Sequence, residues 1–405
     1  MNKKEVSEIK KQFRPDQCAI SRICGCYVDH DEHETIKRMV SSSSFLTLPE
    51  EEIFKYLEIF KQTLSGTIGK NLNNIEFPLS EEATGGKQEF LLKLRDSKLT
   101  DDSLVELFFD KVIETFDYPE NYYMILIHST YDIPGKTLDD LELFDSSDEV
   151  YEHLLFSICP VNRAKAGLSY NPGTNSIEKR NRDWVVEAPM KGFLFPAFSD
   201  RRPDIHNLLY FSKNAEDPKD SFIDQLLGCS LPLTPKTQKE AFNQILTDAL
   251  GDDGDYEMMK NIQDNLTELL ETEKDNPEPP VLTKPVLRNI LESSGVPKEH
   301  MESFDHSYQD ACGDNKQQFL AANIASPRQV QISVPDISIK VHPSKMDLIE
   351  SKLIEGRQCL VITVDDHVEI NGVRVRTMPV PQEIEHASKN PEEASVDITT
   401  GEIIE

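Results

Sequence analysis

The chain has 405 residues with 38% apolar and 8% aromatic content, enough to bury one large or two to three ordinary globular domains. Its formal net charge of −29 keeps it soluble and repels polyanions at long range, which disfavours unassisted high-affinity binding to bare DNA. No run approaches the ~18 apolar residues of a membrane helix, Met1 to Glu8 holds no apolar signal region, and seven thinly spread cysteines fit reduced thiols, so a cytosolic protein without a membrane span is expected.

In chain order, Lys3 to Phe13 permits a short basic helix that ends before Pro15; Glu5 and Glu8 interrupt its charge, which favours a solvated helix face over a nucleic-acid arm. A strand or hairpin is expected from Cys18 to Val28. Its thiols Cys18, Cys24 and Cys26, with His30 and His33 close by, have the donor types of a zinc site. A structural site needs four ligands at recognisable spacing, however, and no second cysteine pair follows, so no metal is assigned. The first firm helix runs from Pro49 to Leu64, with Thr47 and Glu50 as a capping box and Ile53, Phe54, Leu57, Phe60 and Leu64 on one face. The stretch Gly66-Thr-Ile-Gly69-Lys70-Asn71 is too short for a phosphate loop, lacks its Ser or Thr, and follows a helix, so it is expected to cap and turn the chain. Further helices are expected at Glu89 to Leu94 and Asp101 to Phe116.

The densest apolar runs follow. Tyr122 to Ile127 predicts a strand covered on both faces, His153 to Cys159 a second one stopped by Pro160, and Asp183 to Val186 a third. Gly192 to Phe198 gives a fourth strand or a packed turn, and Asn207 to Phe211 a fifth. No helical pattern separates these runs, so consecutive antiparallel pairing is expected over crossovers. An acidic excursion (Asp139, Asp140, Glu142, Asp145, Asp148, Glu149) lies between the first two. Within this region Arg163, Lys165, Lys179, Arg180, Arg182, Lys191, Arg201 and Arg202 oppose only Glu178, Asp183, Glu187 and Asp200, a basic island suited to phosphate or an acidic partner unless its members pair with the chain's own carboxylates. Trp184, the one tryptophan, is expected in the core rather than as a base-stacking platform.

The remainder turns helical. Ser221 to Leu227 stops at Gly228; Thr234-Pro235 starts a helix as N-cap and N1 that Gly251 ends; Tyr256 to Glu271 is another. Asp252, Asp253 and Asp255 resemble a calcium loop only superficially, since the twelfth position from Asp252 is Gln263. Leu287, Ile290 and Leu291, closed by Gly295, and Glu299 to Ala311 give two further helices. Asp336 to Val341, Arg357 to Val364, and Val368 to Ile370 joined through Asn371-Gly372 to Val373 to Val375 predict a small antiparallel sheet. Prolines and carboxylates dominate from Thr377, where disorder is expected.

The expected class is α+β: a central, mainly antiparallel sheet covered by helices, with a small C-terminal antiparallel β unit. The expected division is a helical region 1–116, the central sheet and following helices 117–271, a linker 272–282, a C-terminal unit 283–376 and an acidic tail 377–405. Catalytic constellations are poor. Cys159 and His128, on strands expected to be neighbours, and Asp132 would form a Cys-His-Asp site, yet no nucleophile-turn motif surrounds the cysteine. No enzyme activity and no cofactor are assigned.

Arg22-Ile-Cys-Gly-Cys-Tyr-Val28, Leu64 to Asn71, Cys159-Pro-Val161, Arg182-Asp-Trp-Val-Val-Glu187 and Gly192 to Phe198 carry a nearly full-length resemblance to uncharacterised proteins of anaerobic Firmicutes grouped as a domain of unknown function. From about Phe116 to Arg376, the order of elements, Glu152-His-Leu-Leu, Leu209-Tyr-Phe-Ser-Lys213 and Phe222 to Gly228 are similar to the NdpA-like nucleoid-associated proteins of Gram-negative bacteria. The resemblance implies a non-enzymatic protein acting on nucleic acid through protein partners, with the basic island as contact surface. The competing expectation is a general interaction scaffold without a nucleic-acid role.

Overall fold

The densest apolar runs lie between Tyr122 and Phe211, and the chain builds one large sheet around them. The computed structural model describes residues 1–31, 34–136, 142–143, 149–251, 254–312, 318–326, 328–364 and 367–375. The expected tail from Thr377, His33, Asp252, Asp253 and most of the acidic excursion lie outside them. The chain divides into a unit 1–329 and a unit 330–405.

The first unit begins with α1 (Lys3–Gln12), β1 (Ala19–Asp31), β2 (Glu34–Ser44), α2 (Glu50–Thr63), β3 (Leu72–Glu76), α3 (Leu79–Glu82), α4 (Lys87–Asp96) and α5 (Asp102–Thr115). The strands β4 (Tyr122–Ile133), β5 (Gly135–Lys136), β6 (Glu142–Leu143), β7 (Glu149–Arg163), β8 (Leu168–Asn171), β9 (Ser176–Lys179) and β10 (Trp184–Val186) follow. After them come β11 (Lys191–Phe195), β12 (Ala197–Ser199), β13 (Arg202–Asp204) and β14 (Asn207–Ser212). The rest of the unit is α6 (Asp220–Leu227), α7 (Pro235–Leu250), α8 (Tyr256–Thr272), β15 (Val281–Leu282), α9 (Lys284–Ser293), α10 (Met301–Cys312), β16 (Phe319–Leu320) and α11 (Ala321–Ile324).

The main sheet runs β2-β1-β4-β7-β11-β14-β3, with β10 on the end of β7, and all of its pairings are antiparallel. The α+β class with a helix-covered antiparallel sheet is therefore what the chain adopts. Alternation explains the two-sided burial: Met124 and Leu126 of β4 pack with Leu94, Phe108 and Phe222 of α4, α5 and α6, while Ile125 and Ile127 pack with Ile9, Leu57 and Phe60 of α1 and α2. A third cluster joins α7 to α10 through Phe242, Ile245, Leu291 and Phe304. The caps act as their chemistry dictates: the Thr234 hydroxyl accepts the Thr237 N–H at 3.3 Å, and Gly251 leaves α7 with φ +54°.

Some expectations change. Pro160 does not stop its strand, because its neighbours carry the ladder: Val161 N–H donates to Asn121 O and Pro160 O accepts from Glu187 N–H, both at 2.8 Å. Thr47 makes no capping box; its hydroxyl donates to Ser44 O at 2.7 Å, and Pro49 caps α2 without a side-chain bond. Residues 272–282, expected as a linker, lie inside the first unit, where Pro277 O accepts the Lys3 N–H at 3.2 Å and β15 pairs with β16.

In the second unit, β17 (Val330–Val334) pairs with β18 (Ile337–Val341), β19 (Ile349–Ile354) with β20 (Arg357–Ile362), and β21 (Val368–Ile370) with β22 (Val373–Val375). The expected hairpin at Asn371-Gly372 forms, with φ +51° and +80°, yet the unit's described residues make three separate two-stranded ribbons rather than one sheet.

Candidate functional site

Strand β7 has two lives. Leu154 to Cys159 are buried between the helical layers, but beyond Val161 the strand loses its other partners and pairs only with β10 among the described residues. The hairpin then keeps one register outward: Arg163 opposite Trp184, Ala164 N–H to Asp183 O at 2.8 Å, Arg180 N–H to Gly167 O at 2.9 Å, and Leu168 to Asn171 against Lys179 to Ser176. Nine residues from Arg163 to Asn171 span about 26 Å at ~3.3 Å per residue. The tip is a turn in which the Asn171 side chain accepts the Gly173 N–H at 2.9 Å.

This ribbon gathers Arg163, Lys165, Lys179, Arg180 and Arg182, all exposed. None of the five has an ion pair among the described residues. The Arg163 guanidinium lies 4.9 Å from the Trp184 ring centre, and Arg182 Nε donates to Ala164 O at 2.7 Å. Of the local carboxylates, Glu178 accepts from Ser176 and Thr174 on its own strand and turn, and these hydroxyls hold its carboxyl pKa below the usual range.

The other three cations of the expected island are elsewhere. Lys191 is buried, its ammonium donating to Ser212 Oγ at 2.8 Å and to Asp217 O. Arg201 donates to Pro134 O and pairs with Glu8, both at 3.2 Å, and Arg202 lies 3.7 Å from Glu149. Glu149 and Arg163 are the two ends of β7, about 46 Å apart along the strand. The island is thus split: five cations stand on the ribbon, while Lys191 is buried and Arg201 and Arg202 face carboxylates.

Trp184 is not the expected core anchor: it is 51% exposed. The ribbon is too narrow to enclose an indole, and β10 sits past the edge of both helical layers. Leu168 (76%), Tyr170 (57%) and Ile177 (64%) are exposed beyond it. Open apolar side chains thus accompany the cations along the hairpin.

The remaining constellations carry less. Cys159 lies opposite Tyr123 and packs with the α1–α2 layer, whereas His128 projects to the other face, opposite Leu154; the Cys-His-Asp site therefore does not assemble, and burial pushes the Cys159 thiol up to about 12. Cys24 and Cys26 are buried with the α4–α6 layer while Cys18 packs on the opposite one, and among the described residues no group of three or more His, Cys, Asp or Glu is placed to hold a metal.

A cluster with no sequence signal does form around His128, whose Nδ1 is 2.7 Å from Ser21 Oγ and whose Nε2 is 3.6 Å from Glu152. Burial lowers the affinity of this imidazole for a proton, and buried His153 is pushed down to about 3. Two clefts open on the first unit, and neither is lined by these residues. The larger, about 910 Å³, presents Glu5, Glu76, Glu82, Asp200 and Glu278 and so repels anions.

With the geometry in place, the comparisons narrow the identity. The model of the family described as Domain of unknown function (DUF4317) matches residues 1–373. The chain belongs to this family. The match takes in all of the first unit and the second as far as Val373, so the DUF4317 region includes the ribbon, the first two C-terminal hairpins and the start of the third. No curated protein and no solved structure matches this DUF4317 chain.

Proposed function

We propose that this protein is a non-enzymatic nucleic-acid-binding protein of the cytosol that grips phosphates with the ribbon 161–186. The supporting observation is the concentration of five cations, without ion pairs among the described residues, on one projecting hairpin of a chain with net charge −29. From Arg163 to the level of Lys179 these cations extend about 17 Å, past the ~8 Å Debye length at physiological salt, so the acidic body is largely screened from a strand lying along them. The likeness in element order to NdpA-like nucleoid-associated proteins agrees with this function. Exposed Leu168 and Ile177 at the outer half offer an apolar surface to a protein partner of the same assembly.

The test is binding of labelled oligonucleotides across a salt series. Lys165→Glu/Arg180→Glu/Arg182→Glu should abolish measurable binding and flatten the salt dependence, while Arg201→Glu/Arg202→Glu, at the other end of β7, should bind as wild type does. Equal binding by wild type and the triple variant would remove the ribbon from any such role.

A further inference from the structure

Phosphate contacts alone leave Trp184 unexplained. An indole is usually drawn into the core, and here half of its surface is open although the sheet it adjoins has two well-packed apolar layers. Its position is fixed on both sides of the hairpin: the backbone pairs with Arg163, and the Arg163 guanidinium stacks on the ring at 4.9 Å. Arg163 thereby presents a cation at an aromatic platform, which is what a nucleotide offers the complement of: a flat base joined to a phosphate. The Trp184 platform, with Arg163, Lys165, Arg180 and Arg182 exposed on the same hairpin, sets one open ring beside several charges.

Resting on the nucleic-acid function proposed above, we infer that the ribbon binds single-stranded nucleic acid, with a base stacked on Trp184 and phosphates on the neighbouring cations. A duplex offers the same phosphates but keeps its base faces stacked against one another, so it leaves the indole uncovered. An acidic protein segment satisfies the cations and has no planar group for the ring. The expected footprint falls within the ~4–16 nucleotides typical of stacking sites.

Because Trp184 is the only tryptophan of the chain, its emission reports on the site directly. Titration of the full chain with oligodeoxythymidine of about 12 nucleotides, the corresponding duplex, inorganic polyphosphate and polyglutamate gives four separable arms. The single strand should quench the emission and bind at least about ten-fold more tightly than the duplex. Trp184→Ala should lose about ten-fold in single-strand affinity, read with labelled oligonucleotide, without changing affinity for polyphosphate; Trp184→Phe should recover most of it. Unquenched emission with duplex and polyphosphate bound as tightly as the single strand would overturn base stacking and leave the phosphate-binding function standing. Binding to none of the nucleic acids would overturn both, as would polyglutamate binding as tightly as the oligonucleotide.

Discussion

Strand β7 and the hairpin that continues from its end differ in everything except their antiparallel backbone. Between Tyr151 and Cys159 most side chains lie under helices on one face or the other, and Phe156 makes ring contacts with Phe108 at 5.0 Å and Phe193 at 5.3 Å. From Arg163 outward the side chains stand open on both faces, and cross-strand hydrogen bonds with one cation–ring stack hold the hairpin. On the function proposed above, the strand serves stability and the hairpin that continues from its end serves recognition, and substitutions should separate the two cleanly.

The largest effect is expected at the buried end. Phe108→Ala removes a fully buried ring that packs on both Phe156 and Phe193, and should cost about 3–5 kcal/mol in a urea titration. A loss below about 1 kcal/mol would mean that the two layers are not cohesive in the way their packing implies.

Acid should attack the same region next. Burial depresses the proton affinity of both His128 and His153 in the folded chain, whereas the unfolded chain titrates them near the ordinary value of about 6.5. The unfolded state thus takes up more protons as pH falls below that value. Stability present above pH ~6.5 is lost progressively toward the folded value of about 3 for His153, at roughly 1.4 kcal/mol per pH unit for that histidine, and His128 adds a loss of the same sign. His153 stacks on Tyr151 at 4.5 Å and meets the Phe13 edge at 6.4 Å, so His153→Phe keeps the packing and removes one proton site. Its unfolding free energy between pH 7 and pH 5 should fall less steeply than that of wild type; parallel slopes would deny His153 its part.

Much of this division is legible in the residues themselves. The buried half announces itself because a strand covered on both faces must be continuously apolar, as Tyr122 to Ile127 and His153 to Cys159 are. Helix α7 is readable from Thr234-Pro235 and Gly251, whose effects are local. Edge strands are not: β2 ends in Ser41 to Ser44 and β3 is Leu72 to Glu76, and both are strands only because β1 and β14 offer them a register. The basic island is visible as composition, but charge counted along the chain cannot see that β7 carries Arg163 and Glu149 to opposite ends, or that Lys191 turns inward. Trp184 misleads because its residue type favours burial while its strand lies past the helical layers. Ser21, His128 and Glu152 converge from separations of 107 and 24 residues through strand pairing alone.

The smallest effect sharpens the comparison most. Trp184→Ala deletes the largest side chain of the ribbon, yet that side chain belongs to none of the three apolar clusters of the described residues, and the pairing of β10 with β7 is made by the backbone. The unfolding free energy should stay within about 0.5 kcal/mol of wild type, as for other surface substitutions. What the substitution removes is the exposed stack on Arg163, worth about 0.5–1 kcal/mol in such settings and offset in part by freeing the arginine side chain. A loss of about 3 kcal/mol or more in the same urea titration would mean that the indole is part of the folding core after all. In that case the exposed hairpin would be a continuation of the buried strand, and recognition would have to be sought on another surface.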